Sequence, residues 1–304
     1  MEIWEPDRPG QGPAVVTMGT FDGLHPGHRA LFARARAEAE HRGVPWVVVT
    51  FDPPPAVVLR GRRGRWELTP RAEKLWWLER LGVPAVVVWP FTPELAQVEA
   101  EAFLDRYLVP VLRPVALVEG GDFTFGRGGR GTTATLAAWG ERHGVAVVVL
   151  PRMGPDGQSY SSSRARAAVE RGALAEAEAA LGRPYTAYGP VVPGDGIGRT
   201  LGVPTANLAL AADKLMPPYG IYGGTAVWDG AEAPAVASWG VRPTFAGREE
   251  RFEVHVLDRD EDFRGRTLTF SFRTYVRPEA RFATTADLVA QMAADIAEVR
   301  RRLG

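Results

Sequence analysis

The stretch Ala14-Val15-Val16-Thr17-Met18-Gly19-Thr20-Phe21-Asp22-Gly23-Leu24-His25-Pro26-Gly27-His28 decides the architecture of the first half of the chain. Its first five residues form a nearly continuous apolar run, the pattern of a strand buried on both faces rather than one alternating between core and water. A glycine-rich turn follows, and Pro26 opens a segment of helical composition, since proline suits a first helical turn. Strand, glycine turn and helix in that order make one βα unit. Its loop lies at the carboxyl end of the strand, where open α/β sheets bind their ligands.

The same alternation continues outward. Residues 46–51, 85–89, 115–118 and 145–150 read as further buried strands. Residues 29–42, 70–81, 93–107 and 132–142 read as helices, with Thr69-Pro70 and Thr92-Pro93 as an N-cap followed by proline. The fold class is α/β, with a doubly wound parallel sheet in the first half. After helical stretches at 163–170 and 173–181 the pattern changes at Gly182-Arg183-Pro184. Residues 186–192, 221–228, 235–239, 251–257 and 267–276 are closely spaced strands without intervening helices, which predicts a small antiparallel barrel. A final helix begins near Thr285. Thr284 and Asp287 fit a capping box, and Leu288, Met292, Ile296, Val299 and Leu303 make one apolar stripe to cover the barrel. The expected domains are residues 1–183 and 184–304.

Bulk composition narrows the function. The 304 residues are 45% hydrophobic and 24% charged, ordinary values for a folded globular chain long enough for two cores. Lys+Arg and Asp+Glu both number 36, so no net field favours nucleic acid or an anionic membrane, and small-molecule substrates are expected. With no cysteine, disulfides, thiolate metal sites and cysteine nucleophiles are excluded, and a reducing, cytoplasmic compartment is expected. Residues 1–12 lack the apolar core of an export signal, and no run reaches the length of a membrane span.

Within the opening stretch, Gly19, Gly23 and Gly27 allow close backbone approach to a phosphate, and the helix start adds its positive dipole end. His25 and His28 flank Gly27 and are two of only five histidines in the chain. They are placed to donate hydrogen bonds to phosphate as charge builds in nucleotidyl transfer. Phe21-Asp22-Gly23 with His25 and His28 resembles the first motif of the H-x-G-H nucleotidylyltransferases, and specifically of the bacterial bifunctional riboflavin kinase/FAD synthetases. In that family the two histidines contact ATP phosphates. Gly121-Asp122-Phe123-Thr124-Phe125-Gly126 is similar to the family segment that binds nucleotide and flavin, which marks Asp122, Phe123 and Phe125 as flavin-binding candidates. Ser161-Ser162-Ser163-Arg164-Ala165-Arg166 is similar to the family's Ser-Ser-Thr-x-Ile-Arg motif. There Ser162 and Ser163 can cap a helix and Arg166 can pair with phosphate. Two departures stand out: Pro54 in Phe51-Asp52-Pro53-Pro54-Pro55, where the family carries histidine, and Ala165 in place of isoleucine.

In the second half, Gly194-Asp195-Gly196-Ile197-Gly198-Arg199-Thr200-Leu201-Gly202-Val203-Pro204-Thr205-Ala206-Asn207 joins a flexible glycine loop to a Pro-Thr-Ala-Asn tetrad. Thr205 and Asn207, two apart on an extended chain, face one side and offer the hard oxygen ligands that suit Mg²⁺ beside nucleotide phosphates. Gly194, Gly198 and Arg199 are the phosphate-binding candidates, and no Walker A lysine is present. This stretch resembles the riboflavin kinase signature, with Ile197 where an arginine is common. In Arg251-Phe252-Glu253-Val254-His255-Val256-Leu257, Phe252, Val254 and Val256 alternate inward and Glu253 faces the other way. The resemblance makes Glu253 the general base for the riboflavin 5′-hydroxyl. Pro218-Tyr219-Gly220-Ile221-Tyr222 and Gly240-Val241-Arg242-Pro243-Thr244-Phe245 match family loops that shape the substrate sites.

The resemblance thus implies riboflavin and ATP giving FMN in the C-terminal domain, then FMN and ATP giving FAD and pyrophosphate in the N-terminal domain. ATP is the co-substrate, Mg²⁺ the cofactor, and neither nucleic acid nor membrane a partner. Pro54 keeps open a kinase whose adenylyltransferase half is impaired, and a non-catalytic flavin or nucleotide binder is a third reading.

Overall fold

A computed structural model describes residues 1–154, 159–194, 196–244 and 247–303, with backbone alone at 197, 242–244 and 247–248. Asp195, Phe245 and the side chain of Ile197 therefore lie outside the described residues. By contact density the chain divides into two compact units, Met1–Gly64 with Lys74–Ser161 and Arg65–Glu73 with Ser162–Gly304.

The first unit is built on a six-stranded sheet in the order β1-β4-β3-β2-β5-β8. The strands are β1 (Glu2–Trp4), β2 (Ala14–Met18), β3 (Trp46–Asp52), β4 (Ala85–Pro90), β5 (Pro114–Gly120) and, after a two-stranded ribbon of β6 (Thr124–Phe125) and β7 (Gly131–Thr132), β8 (Ala146–Leu150). Every pairing in the large sheet is parallel. The expected five strands are present, and β1 adds a sixth at the edge. Helices α1 (Pro26–Arg42), α2 (Pro55–Arg60) and α3 (Arg71–Arg80) precede a broken run in which α4 (Ala100–Phe103) passes through a π turn at Leu104–Leu108 into α5 (Val109–Leu112). The sequence predicts one helix over 93–107. Glu99 instead adopts extended backbone at φ −63°, ψ 152°, so the segment starts anew there. Helix α6 (Thr133–His143) carries a full capping box from Thr132 and Thr135. Val16, Val47, Val49, Val87 and Leu117 meet in one apolar cluster and Val15, Val48, Val86 and Val118 in another, consistent with a sheet buried on both faces.

The second unit opens with α7 (Ser162–Glu170) and α8 (Leu174–Leu181). A closed barrel follows in the order β10-β13-β12-β11-β14-β9. Its strands are β9 (Thr186–Val192), β10 (Ala206–Leu208), β11 (Gly220–Trp228), β12 (Ala231–Thr244), β13 (Gly247–Val256) and β14 (Thr267–Arg277), with a short α9 (Ile197–Thr200) in the glycine loop. All barrel pairings are antiparallel, as expected. The chain ends in α10 (Thr285–Leu303), where Thr284 Oγ1 accepts from the Asp287 amide at 3.1 Å. Phe252, Val254, Val256, Phe270 and Phe272 fill the barrel. The segment Arg65–Glu73 packs into this unit: Lys214 Nζ donates to Glu73 Oε2 at 2.7 Å and to the Leu68 carbonyl at 2.6 Å, both side chains being almost fully buried.

Candidate functional site

In the first unit the turn after β2 is held by backbone that few residues adopt. Phe21 and Leu24 have φ of 47° and 49°, a left-handed conformation that costs side-chain-bearing residues energy and is commonly retained at binding sites. The turn delivers His25 as the N-cap of α1, its Nδ1 accepting from the His28 amide at 3.3 Å. The two imidazoles stack with centroids 3.6 Å apart, and the edge of Phe21 closes on His28 at 5.2 Å. Gly27 lies against the His25 ring, where a Cβ would come within 3.2 Å of it. Burial, opposed by Asp22, pushes the His25 pKa down to about 4. Burial, with the proximity of His25 and Lys74 disfavouring a further positive charge, holds His28 well below the usual imidazole range. Both rings are therefore neutral at pH 7, and His28 Nδ1 is buried without a partner. The pair works as polar donors at a helix start rather than as fixed cations.

The loop after β5 brings Asp122, Phe123 and Phe125 to the same end of the sheet. Phe123 and Phe125 stack at 5.4 Å and pack partly on the core, while Asp122 pairs with Arg152 at 3.3 Å on the surface. Gly126 has φ 69° with the Ala100 backbone against it, so no side chain fits there. Beneath this end, Glu119 accepts from the Met18 amide at 2.7 Å, and burial raises its pKa well above the carboxylate range. The other motif candidates fall elsewhere: Ser162, Ser163 and Arg166 belong to the second unit. There Arg166 Nε donates to the Trp66 carbonyl at 2.8 Å and its guanidinium covers the Trp66 ring at 5.3 Å.

In the second unit two cavities meet at Thr205. The smaller, about 150 Å³, is lined by Gly194, Gly196, Arg199, Asn207 and Arg264. The larger, about 390 Å³, lies between the barrel and α10 and is lined by Glu253, His255, Arg277, Phe282, Met292 and Asp295, among others. Close approach explains the glycines. A Cβ on Gly194 would overlap the Asn207 amide, and one on Gly198 would press on the Val203 carbonyl. Asn207 pairs with Glu253 across the β10–β13 ladder, and Thr205 Oγ1 donates to Glu253 Oε2 at 3.2 Å. His255 Nδ1 lies 2.7 Å from the Pro204 carbonyl, which ties the tetrad to β13. Thus Thr205, Asn207 and Glu253, named separately from the sequence, are brought together. The sequence reading missed the wall that α10 contributes. Asp295 is 5% exposed and takes a two-pronged contact from Arg277 at 2.8 and 2.7 Å. The signal was a carboxylate inside the otherwise apolar stripe of the last helix.

Among the described residues, no group of three or more His, Cys, Asp or Glu is placed to hold a metal ion. The Thr205 hydroxyl and Asn207 amide oxygen are nevertheless hard donors. Because Thr205 spends its proton on Glu253, its lone pairs remain free. Such a partial donor set fits a cation that completes its shell with phosphate and water.

Comparison with known proteins accounts for both halves. Residues 7–164 match the FAD synthetase family model and residues 181–303 the riboflavin kinase model. The bifunctional riboflavin kinase/FMN adenylyltransferase of Escherichia coli K12 is 37% identical over 97% of this chain and 94% of its own length. The chain belongs to the bifunctional riboflavin kinase/FMN adenylyltransferase family. The Listeria monocytogenes relative of the same description is 34% identical over 94% of this chain and 91% of its own. A solved structure described as a macrolide-efflux protein from Streptococcus pneumoniae superposes with a TM-score of 0.83 at 30% identity, covering 99% of both chains. Among the described residues of this chain, no helix is long and apolar enough to cross a membrane.

Proposed function

We propose that the chain phosphorylates riboflavin to FMN in its second unit and adenylylates FMN to FAD in its first, with ATP as donor in both steps. The observation that carries the reading is the Thr205–Glu253 hydrogen bond at the meeting of two cavities of unequal size and character. The larger cavity suits the flavin ring, and the smaller, lined by glycines and by Arg199, Arg259 and Arg264 beside Glu261 and Asp262, suits phosphates with their cation. Glu253 accepts the proton of the riboflavin 5′-hydroxyl as that oxygen bonds to the γ-phosphorus and ADP leaves. Thr205 orients the carboxylate, and Asn207 buttresses the loop at Gly194. Thr205 and Asn207 would hold Mg²⁺, which when bound shares the phosphate charge.

In the first unit, Gly19, Phe21, Asp22, Gly23 and Gly27 shape the turn that receives ATP at the start of α1. His25 and His28 donate N–H groups to its phosphates. An oxygen of the FMN phosphate bonds to the α-phosphorus and pyrophosphate departs, with no covalent enzyme intermediate. Asp122, Phe123 and Phe125 line the flavin side of this reaction; the family motif gives Ser162, Ser163 and Arg166 a phosphate-binding role. Neutral imidazoles suit this work, since approaching phosphate raises their proton affinity only as charge builds. We place the division of labour at residues 1–183 and 184–304, supported by family matches that end at 164 and begin at 181. A cytoplasmic location is in keeping with the absence of cysteine.

The test is a chromatographic product assay with Mg²⁺ and ATP, run from riboflavin and separately from FMN. FMN from the first and FAD with pyrophosphate from the second support the reading. FMN without FAD would restrict the chain to the kinase step, and neither product would leave a binding protein.

A further inference from the structure

The motifs assign residues to the phosphates of ATP at the start of α1 and name none for the second anion of the adenylyl transfer, the FMN phosphate. Between Asp52 and Glu67 the sequence reads Pro-Pro-Pro-Ala-Val-Val-Leu-Arg-Gly-Arg-Arg-Gly-Arg-Trp, four arginines and no acid in a chain of zero net charge. Arg65 belongs to the second unit and is satisfied there by Glu250. Arg60, Arg62 and Arg63 remain in the first unit, all exposed. No carboxylate among the described residues pairs with any of them. Other exposed arginines of the unit, such as Arg106, stand singly, whereas these three fall within four residues of one another.

Placement gives this cluster its meaning. Strand β3 is parallel to β2, so the segment leaving β3 emerges at the end of the sheet that carries the histidine turn. The Gly19 amide donates to the Val49 carbonyl at 3.0 Å, and Thr50 Oγ1 donates to the Thr20 carbonyl at 3.2 Å, so the two segments are tied together where they leave the sheet. Helix α2 follows at once. It buries none of its residues fully, and Leu59 is 56% exposed. Gly61 and Gly64 then turn the chain with φ of 60° and 77°, and no protein atom occupies the space where their Cβ atoms would be. A helix half-buried at Ala56, Val57 and Val58 and exposed at Leu59 therefore ends in an open loop of exposed guanidinium groups at the same end of the sheet as the nucleotide turn.

We infer that Arg60, Arg62 and Arg63 form a clamp for the terminal phosphate of FMN, with Val57, Val58 and Leu59 of α2 facing its apolar portion. The inference rests on the adenylyltransferase reading of the first unit. Guanidinium groups bind phosphate through paired N–H donors and stay charged at every working pH, unlike the neutral histidines. They offset the repulsion between the attacking phosphate and the ATP chain. They also favour FMN over uncharged riboflavin as the adenylyl acceptor, which makes the loop a specificity determinant.

The experiment is steady-state FAD formation by the full chain, comparing wild type, the triple variant Arg60→Ala/Arg62→Ala/Arg63→Ala and the triple Arg→Lys variant. The alanine variant is expected to raise KM for FMN at least tenfold and KM for ATP less than twofold. The lysine variant should recover part of the loss, and the wild-type KM for FMN should climb with salt more steeply than that of the alanine variant. Riboflavin phosphorylation and thermal stability of the same preparations report folding. An unchanged KM for FMN overturns the clamp and leaves the proposed function standing, as does an equal rise for ATP. Binding of phosphatidylglycerol vesicles through these arginines with FMN kinetics unaltered overturns it in favour of a membrane surface. A wild-type chain that makes no FAD at all removes the adenylyltransferase reading itself, and the clamp with it.

Discussion

Glu253 and His28 carry the division of labour at the level of single side chains. Glu253→Ala removes the proton acceptor at the junction of the two cavities, and a positioned base contributes on the order of 10²–10⁴-fold. The expected outcome is a loss of that size in FMN formation from riboflavin, with FAD formation from supplied FMN unchanged. His28→Ala should do the converse. If either substitution abolishes both reactions, the assignment of one reaction to each unit fails. His25 gives a separate test through pH. Its folded-state pKa is pushed down to about 4, whereas the unfolded chain takes up the proton near 6.5. Between those values the unfolded state binds more protons, so stability is full above pH 6.5 and is lost as pH falls toward 4. The loss from this residue is on the order of 3 kcal/mol. Urea midpoints across that window should fall with pH in wild type and fall less steeply in His25→Gln, where His28 still contributes; an unaltered slope would show that the His25 imidazole is not buried neutral. Candidate residues could be marked wherever they came as a local motif, as with His25, His28, Thr205 and Asn207. Asp122 was legible only as a motif member: its surface pairing with Arg152 depends on β8 ending beside β5, which no local pattern states.

The elements most easily read were those whose burial repeats along the chain. Strand β9 spans the 186–192 that the apolar pattern predicts, and the capped start of α10 follows from Thr284 and Asp287. Three elements were not legible, each for a physical reason. Helix α2 hides behind Pro53-Pro54-Pro55, which reads as irregular chain, yet Pro55 occupies a first-turn position where its missing N–H costs nothing. Strand β10 has three residues, too few for any periodicity. The break at Glu99 is absent from the helical pattern, which runs on unbroken; beside it the Arg127 amide donates to the Val98 carbonyl at 2.8 Å, a contact between segments far apart in the sequence. Helix α10 carries the element-scale prediction. Asp295 fastens it to β14 through Arg277, and Gln291 Nε2 donates to the same carboxylate at 2.9 Å. Because α10 forms one wall of the larger cavity, loosening it should act on the flavin rather than on ATP. Asp295→Ala is expected to cost about 2–3 kcal/mol, below a fully buried pair because Arg277 is partly exposed. It should also raise KM for riboflavin several-fold with KM for ATP little changed. Equal effects on both substrates would mean that the helix supports the barrel in general and not the cavity wall.

At the scale of the molecule, sequence order and compact units do not coincide. Arg65–Glu73 lies between β3 and the rest of α3 in the chain, yet it packs with the barrel. Glu73 and Lys214 are 2% and 1% exposed at their side chains, and the Lys214 ammonium also sits 4.3 Å from the Tyr185 ring centre. Thr186 Oγ1 donates to the second Glu73 oxygen at 2.5 Å, so each charged group is surrounded by partners. Two buried charges in this state stabilise little as a pair, but either one alone is costly, because the survivor keeps its desolvation penalty without its counter-ion. Glu73→Ala should therefore destabilise the second unit by about 3–5 kcal/mol. Riboflavin phosphorylation would then be lost at a lower temperature than FMN adenylylation. The same logic predicts that a fragment starting at residue 184 is less stable than the unit within the full chain, since it keeps Lys214 and lacks Glu73. The double substitution Glu73→Leu/Lys214→Met separates the two explanations of such a loss. If the penalty comes from an orphaned ammonium, the double variant should regain more than half of the lost stability, measured by the temperature at which kinase activity disappears. If it is no more stable than Glu73→Ala, the hydrogen bonds of the intact pair to Leu68 and Thr186, rather than the unpaired charge, hold the segment on the barrel.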